Sequence, residues 1–166
     1  MEIRRLSAED VEDYFQIRLE SLKTNPEAFA SSYEEEKAQP VALYKERLES
    51  PQSSLTSGAY ENGKLVGIIT VVRENKQKLK HRSNLVSLYI TPESRGQGLG
   101  RLLLREGLAN VQEWHGVEQV HLTDASSNTP AITLYQSCGF ETYGKERRAL
   151  KVEGHYVDVD DMSLIL

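Results

Sequence analysis

The sequence predicts one α/β domain, and three stretches of it carry that prediction. The apolar run Leu85–Ile90 leads at once into a glycine-rich turn and then into a leucine-rich helical pattern, Leu99 to Val111. Val117, Val120 and Leu122 mark another strand after that helix. A strand–helix–strand unit of this length suits a right-handed crossover, which makes strands 85–91 and 118–124 parallel. Glu61-Asn62-Gly63-Lys64 separates two strand-like runs, 58–63 and 64–73, and Asn-Gly is a strong hairpin signal. The sheet is therefore mixed.

With 166 residues the chain can bury one sizeable core but not two, so a single domain over 1–166 is expected. At 39% hydrophobic and 27% charged residues, disorder does not dominate. The formal net charge of −5 argues against a nucleic-acid surface; it suits a cationic substrate, although solubility alone accounts for it. One cysteine excludes an internal disulfide. No basic segment followed by an apolar run opens the chain, and no stretch approaches ~20 apolar residues. No membrane association is expected, and the cytoplasm is the expected compartment.

Taken in order, residues 2–6 alternate loosely as a short strand. Ser7 and Asp10 have capping-box spacing, and Val11, Phe15, Leu19 and Leu22 set a helix over about 8–23 that Asn25-Pro26 stops. Residues 26–40 are less regular and end in the acidic run Glu34-Glu35-Glu36, read first as a solvated helix end. Pro40 restarts a helix with Leu43, Tyr44 and Leu48. Residues 74–82 are polar and basic, a connection between strands. Thr129-Pro130 starts another helix, which Gly139 stops. Phe140 and Tyr143 begin a strand, and 155–166 form the last one, with a bulge or bend expected near Asp160-Asp161.

The turn between strand and helix has a definite chemistry. Gly96, Gly98 and Gly100 let the backbone approach a ligand closely. The first amides of the helix lack internal partners and sit at the positive end of its dipole, which makes a phosphate site. Arg95 and Arg101 add positive charge suited to phosphate. A P-loop fails, because Gly100-Arg101-Leu102 stands where Gly-Lys-Ser/Thr is required. The dinucleotide fingerprint fails on spacing, and no long series of βα units surrounds it.

Arg95-x-x-Gly98-x-Gly100 after an apolar strand resembles the acetyl-CoA signature of the GNAT superfamily of N-acetyltransferases. Asn128-x-x-Ala131-x-x-x-Tyr135-x-x-x-Gly139-Phe140 resembles a second segment of the same family. The resemblance covers roughly residues 85–143. It implies the GNAT fold, a mixed, mostly antiparallel twisted sheet with flanking helices and a central parallel pair splayed around the coenzyme. It implies acetyl-CoA as co-substrate and no metal. It places the pyrophosphate on Arg95, Gly96, Gln97, Gly98, Leu99, Gly100 and Arg101. It places the pantetheine and acetyl oxygen along Leu88, Tyr89 and Ile90. Asn128, Ala131 and Tyr135 complete the coenzyme-binding set.

Acetyl transfer to an amine needs a neutral amine, a polarised carbonyl and a proton for the departing thiolate. An alkyl amine resembles lysine and is protonated at neutral pH, so a base or a site that lowers its pKa is required. Backbone N–H groups of the central strand serve the carbonyl. Tyr135, which alone would read as a core aromatic, becomes the candidate acid through its motif. Asn128 also fits a helix N-cap. Many family members carry a Glu on the central strand; here Ser87-Leu88-Tyr89 has no carboxylate. Asp124 is the candidate substitute, water is equally open, and Glu36, His121 and His155 are weaker candidates that read as surface residues. Cys138 lacks a His partner and reads as a small buried apolar residue.

A small-molecule amine is the first choice of acceptor, with a protein N-terminus or lysine second. An acyl-CoA-binding sensor with little turnover is the alternative from a different class. Homodimerisation is open, since family members often pair.

Overall fold

The computed structural model describes residues 1–166. The chain runs β1 (Glu2–Arg5), α1 (Val11–Thr24), α2 (Tyr33–Lys37), α3 (Val41–Leu48), β2 (Ser54–Glu61), β3 (Lys64–Arg73) and β4 (Arg82–Ile90). It continues through α4 (Leu99–Gln112), β5 (Gln119–Ala125), α5 (Thr129–Ser137), β6 (Glu141–Val152) and β7 (His155–Ile165). The seven strands form one sheet in the order β1-β2-β3-β4-β5-β7-β6. Every neighbouring pair is antiparallel except β4 with β5.

The run Leu65-Val66-Gly67-Ile68-Ile69-Thr70-Val71 is buried throughout because β3 has helices over both faces. Leu65 and Ile68 face a core shared with Phe15, Leu19 and Tyr44 of α1 and α3. Val66, Ile69 and Val71 face the other, built on Leu103, Leu104 and Val111 of α4 and on Tyr135 of α5. A bulge at Val66, which has no partner between the Ala59–Gly67 and Tyr60–Leu65 pairs, switches the face midway. The hairpin between β2 and β3 turns on Asn62 and Gly63, both at positive φ (50° and 79°), as a primed turn requires.

Two irregularities of β4 shape the site. Its parallel pairing with β5 extends only from Arg82–Gln119 to Asn84–His121, after which the strands diverge. Against β3, Thr70 pairs with Ser87 and Val71 with Leu85, so Val86 is an extra, unpaired residue on the opened edge. The bulge expected near Asp160-Asp161 is there in the pairing, but on the partner strand, where Tyr143 is the extra residue opposite Met162–Asp161. Both acids keep unbroken register with β5, and the slips fall in β6, around Tyr143 and between Glu146 and Leu150. The two carboxylates are held by side-chain hydroxyls instead, Ser126 on Asp160 (2.6 Å) and Thr123 on Asp161 (2.9 Å).

Candidate active site

The divergence of β4 and β5 opens a cavity of about 290 Å³. Leu88, Tyr89 and Ile90 line it from β4, and Leu122, Thr123 and Asp124 from β5. Arg95, Gly100, Asn128, Ala131 and Tyr135 close it from the glycine loop, α4 and α5. Residues that sequence spacing spreads over nearly fifty positions thus meet in one cleft.

The glycine loop has the geometry an anion needs. Gly96 (φ 76°) and Gly98 (φ 79°) hold conformations that L side chains rarely adopt, and open space surrounds both. Gly98 O accepts from Leu102 N–H (3.2 Å), which leaves the amides of Leu99, Gly100 and Arg101 as the free first turn of α4. The Leu99 side chain itself is buried in the core, so only its backbone is available. A Cβ on Gly100 would stand 3.0 Å from Leu134 Cδ2, so glycine here lets α4 and α5 approach. Gly96, Gln97, Gly98 and Arg101 are exposed. The Arg95 guanidinium folds across the cleft, donating to Ile90 O (3.0 Å) and Asn25 Oδ1 (2.8 Å). Arg101 reaches Ser137 Oγ (3.0 Å). Free amides, positive-φ glycines and two arginines fit the diphosphate of acetyl-CoA.

At the inner end the Tyr135 hydroxyl donates to Asp124 Oδ2 (3.3 Å). Asp124 Oδ1 accepts from the Ala125 amide (2.8 Å) and from Asn128 Nδ2 (3.1 Å). Asn128 stands at the N-cap of α5, as expected, and its carbonyl accepts from the Ile132 amide (3.0 Å), but its side chain holds Asp124 and makes no cap bond. Burial raises the Asp124 carboxyl above its ordinary range, against the pull of those three donors. Burial, with the neighbouring carboxylate, pushes the Tyr135 phenol well above 10, so it stays protonated at any working pH.

A second cavity of about 590 Å³ adjoins the first and shares Phe29, Leu85, Val86 and Asp124 with it. Arg18, Arg82, His121 and Tyr143 lie further along it. Here the structure corrects the sequence reading of Glu36. It is buried, not a solvated helix end: its carboxylate accepts from Arg18 Nε (3.1 Å) and Nη2 (2.8 Å) and from the Tyr44 hydroxyl. Burial raises the Glu36 pKa, but the guanidinium and the phenol outweigh it and hold the group below its ordinary value. Arg18 also reaches Ser87 Oγ (3.3 Å) beside the Val86 bulge. Of the other two acids, Glu35 accepts from the Ser32 amide and completes a capping box, and Glu34 is exposed. His121 is half-buried between Gln119 and Tyr143, and burial and Arg82 lower its pKa. His155 is exposed at the β6–β7 turn, outside both cavities. Arg18 and Arg82 carried no motif; the first could be found only as an arginine on the buried stripe of α1.

The sequence model of the acetyltransferase (GNAT) family matches residues 13–140. The chain belongs to this family. It is 29% identical over 125 residues to an L-amino acid N-acetyltransferase of Escherichia coli, covering 74% of this chain and 75% of that protein. It is 33% identical over 115 residues to an N-alpha-acetyltransferase of Mycobacterium tuberculosis, 69% of each chain. The fold matches a phosphinothricin acetyltransferase from Sinorhizobium meliloti in complex with acetyl-CoA, with a TM-score of 0.85 at 20% identity over 99% of this chain and 88% of that one. As a GNAT enzyme the chain is an acyltransferase with acetyl-CoA as co-substrate. The expected mixed sheet with one parallel pair is the observed one. No helix is long and apolar enough to cross a membrane.

Proposed function

We propose that this GNAT enzyme moves acetyl from acetyl-CoA to the primary amine of a small molecule, by direct attack within a ternary complex. The observation that carries the reading is the Tyr135–Asp124 hydrogen bond, because it closes a proton circuit. Bound acetyl-CoA supplies an activated acyl thioester. The free amides of α4 and the two arginines hold its diphosphate, and the β4 edge offers backbone N–H donors to the thioester oxygen, worth about 3 kcal/mol per donor. Asp124, directly or through a water, takes the proton that the attacking nitrogen must lose. Tyr135 gives its phenolic proton to the departing sulfur. Asp124 then returns its proton to the Tyr135 oxygen across their shared hydrogen bond, and both groups regain their starting state. A buried carboxyl with a raised pKa suits such brief proton storage.

A small-molecule acceptor is supported by the similarity to an amino-acid acetyltransferase and by an adjoining cleft lined from α1, β4, β5 and β6. The test is release of free thiol from acetyl-CoA across a panel of amines, amino acids and peptides. Turnover of small amines, lost in Tyr135→Phe and Asp124→Asn, supports it. Turnover only with a peptide N-terminus or lysine replaces the acceptor class, in line with the similarity to an N-alpha-acetyltransferase.

A further inference from the structure

Four arginines of this chain are not exposed: Arg4, Arg18, Arg73 and Arg82. Three are held by protein groups. Arg4 donates to Asp10, Arg18 to Glu36 and Arg73 to His115 O. Arg82 stands apart. Its Nε is buried without any hydrogen-bond partner, and no carboxylate forms an ion pair with it. A buried N–H without a partner is costly, and the two terminal nitrogens of the same guanidinium, which make no hydrogen bond or ion pair within the protein, are the donors left for an oxyanion.

Its place narrows the ligand. Arg82 opens β4 and pairs in register with Gln119, at the closed end of the parallel pair. It lines the second cavity with Val86, the bulged residue at the junction with the coenzyme cleft. Eight residues of strand separate it from Ile90, about 26 Å at 3.3 Å per residue, and the glycine loop lies beyond Ile90. The diphosphate of acetyl-CoA is therefore held at the opposite end of β4. His121, on the neighbouring strand, is kept neutral by burial and by Arg82 itself, so it adds no second fixed cation. Glu27 and Glu146 line the same cavity from exposed positions. Arg18, the other guanidinium lining this cavity, is already neutralised by Glu36, and one free guanidinium in a cavity that also holds Glu27 and Glu146 suits a monoanion better than a dianion.

Taking the chain as an amine acetyltransferase, as above, we propose that Arg82 binds a carboxylate of the acceptor. The acceptor is then an amine that carries a carboxylate, with its nitrogen at the Val86–Asp124 junction and its carboxylate four residues back along β4. Four residues of strand span about 13 Å, more than the Arg82 side chain covers. The two groups therefore stand several bonds apart, as in an ω-amino acid or a short peptide.

The experiment compares 6-aminohexanoate with hexylamine in the thiol-release assay, using the intact chain and Arg82→Gln. The expected result is a KM lower by about tenfold or more for the carboxylated amine. Arg82→Gln removes that preference while leaving kcat and the KM for acetyl-CoA in place, and Arg82→Lys keeps part of it. The thermal midpoint of Arg82→Gln equals or exceeds that of the parent, since a buried N–H without a partner is removed; a guanidinium with a structural role would give the reverse. Equal KM values for the two amines, a preference that survives Arg82→Gln, or better turnover of a phosphorylated amine overturns the assignment. Should no amine be turned over, the acceptor reading fails separately, and calorimetry with 6-aminohexanoate still decides on Arg82. Binding lost in Arg82→Gln supports it, and absence of binding overturns it.

Discussion

The phenolic oxygen of Tyr135 lies 3.3 Å from Asp124 Oδ2, so the candidate acid and the candidate base of this enzyme are directly hydrogen-bonded to each other. The contact joins the end of β5 to α5, and both side chains are buried. Tyr135→Phe removes the proton donor with little change of shape. It is expected to lower kcat by roughly 10²–10⁴-fold with the KM for acetyl-CoA unchanged. Steady-state kinetics of thiol release checks this; a wild-type kcat would remove Tyr135 from the chemistry.

Asp124 gives a pH prediction with a definite sign. Its carboxyl must be ionised to act, and burial holds its pKa above the ordinary value of 3.8. The acid limb of kcat/KM therefore lies above that value. Tyr135 pulls the Asp124 pKa down, so Tyr135→Phe moves the limb of its residual activity further up. Stability runs the other way. A folded-state pKa raised above the unfolded one gives a contribution that is present below the unfolded value and lost as pH rises through the folded value. Asp124→Asn is thus expected to be inactive yet at least as stable as the parent at pH 7, a loss of function with no loss of fold. Thermal melts beside the pH–rate profile check both halves.

The elements that place this site follow from local chemistry that a sequence displays. Asn62-Gly63 forces a hairpin, Pro130 sits in the first turn of α5, and Gly139 takes the positive φ (96°) that ends it. Leu88–Ile90, Asp124, Asn128, Ala131 and Tyr135 share one cavity because the crossover brings strand, loop and helix together. The acceptor side is different. Glu36 resembles its exposed neighbours Glu34 and Glu35 until α2 packs on α1, and the Arg18–Ser87 contact that ties α1 to β4 spans 69 residues. Arg82 belongs to a basic stretch that reads as a solvated connection. The β4 register, which no local signal sets, half-buries it and encloses its Nε.

The Arg18–Glu36–Tyr44 cluster predicts a large stability effect. Both charges are about 90% buried and joined by two hydrogen bonds. Removing one partner leaves the other charge buried and unpaired, which typically costs 3–5 kcal/mol. Glu36→Ala is expected to fall in about that range in urea unfolding, and the Arg18→Met/Glu36→Leu pair to recover most of it. Equal losses in the single and double variants would show that the ion pair is not the cause.

The glycine loop gives the binding prediction that separates backbone shape from charge. Gly98 holds φ 79° at the N-cap of α4, with open space around the position where a Cβ would stand. Alanine there meets no atom but must adopt a left-handed conformation, at a cost of roughly 1–2 kcal/mol. Glutamate bears the same strain and also sets a negative charge among the free amides of Leu99, Gly100 and Arg101. By calorimetry Gly98→Ala is expected to bind acetyl-CoA about tenfold more weakly, within the range that such strain produces. Gly98→Glu is expected to show no measurable binding, with a thermal midpoint close to that of Gly98→Ala. The matched midpoints assign the further loss to charge at the helix start. Equal affinities in the two variants would move the diphosphate away from α4, and unchanged affinity in both would remove the loop from coenzyme binding altogether.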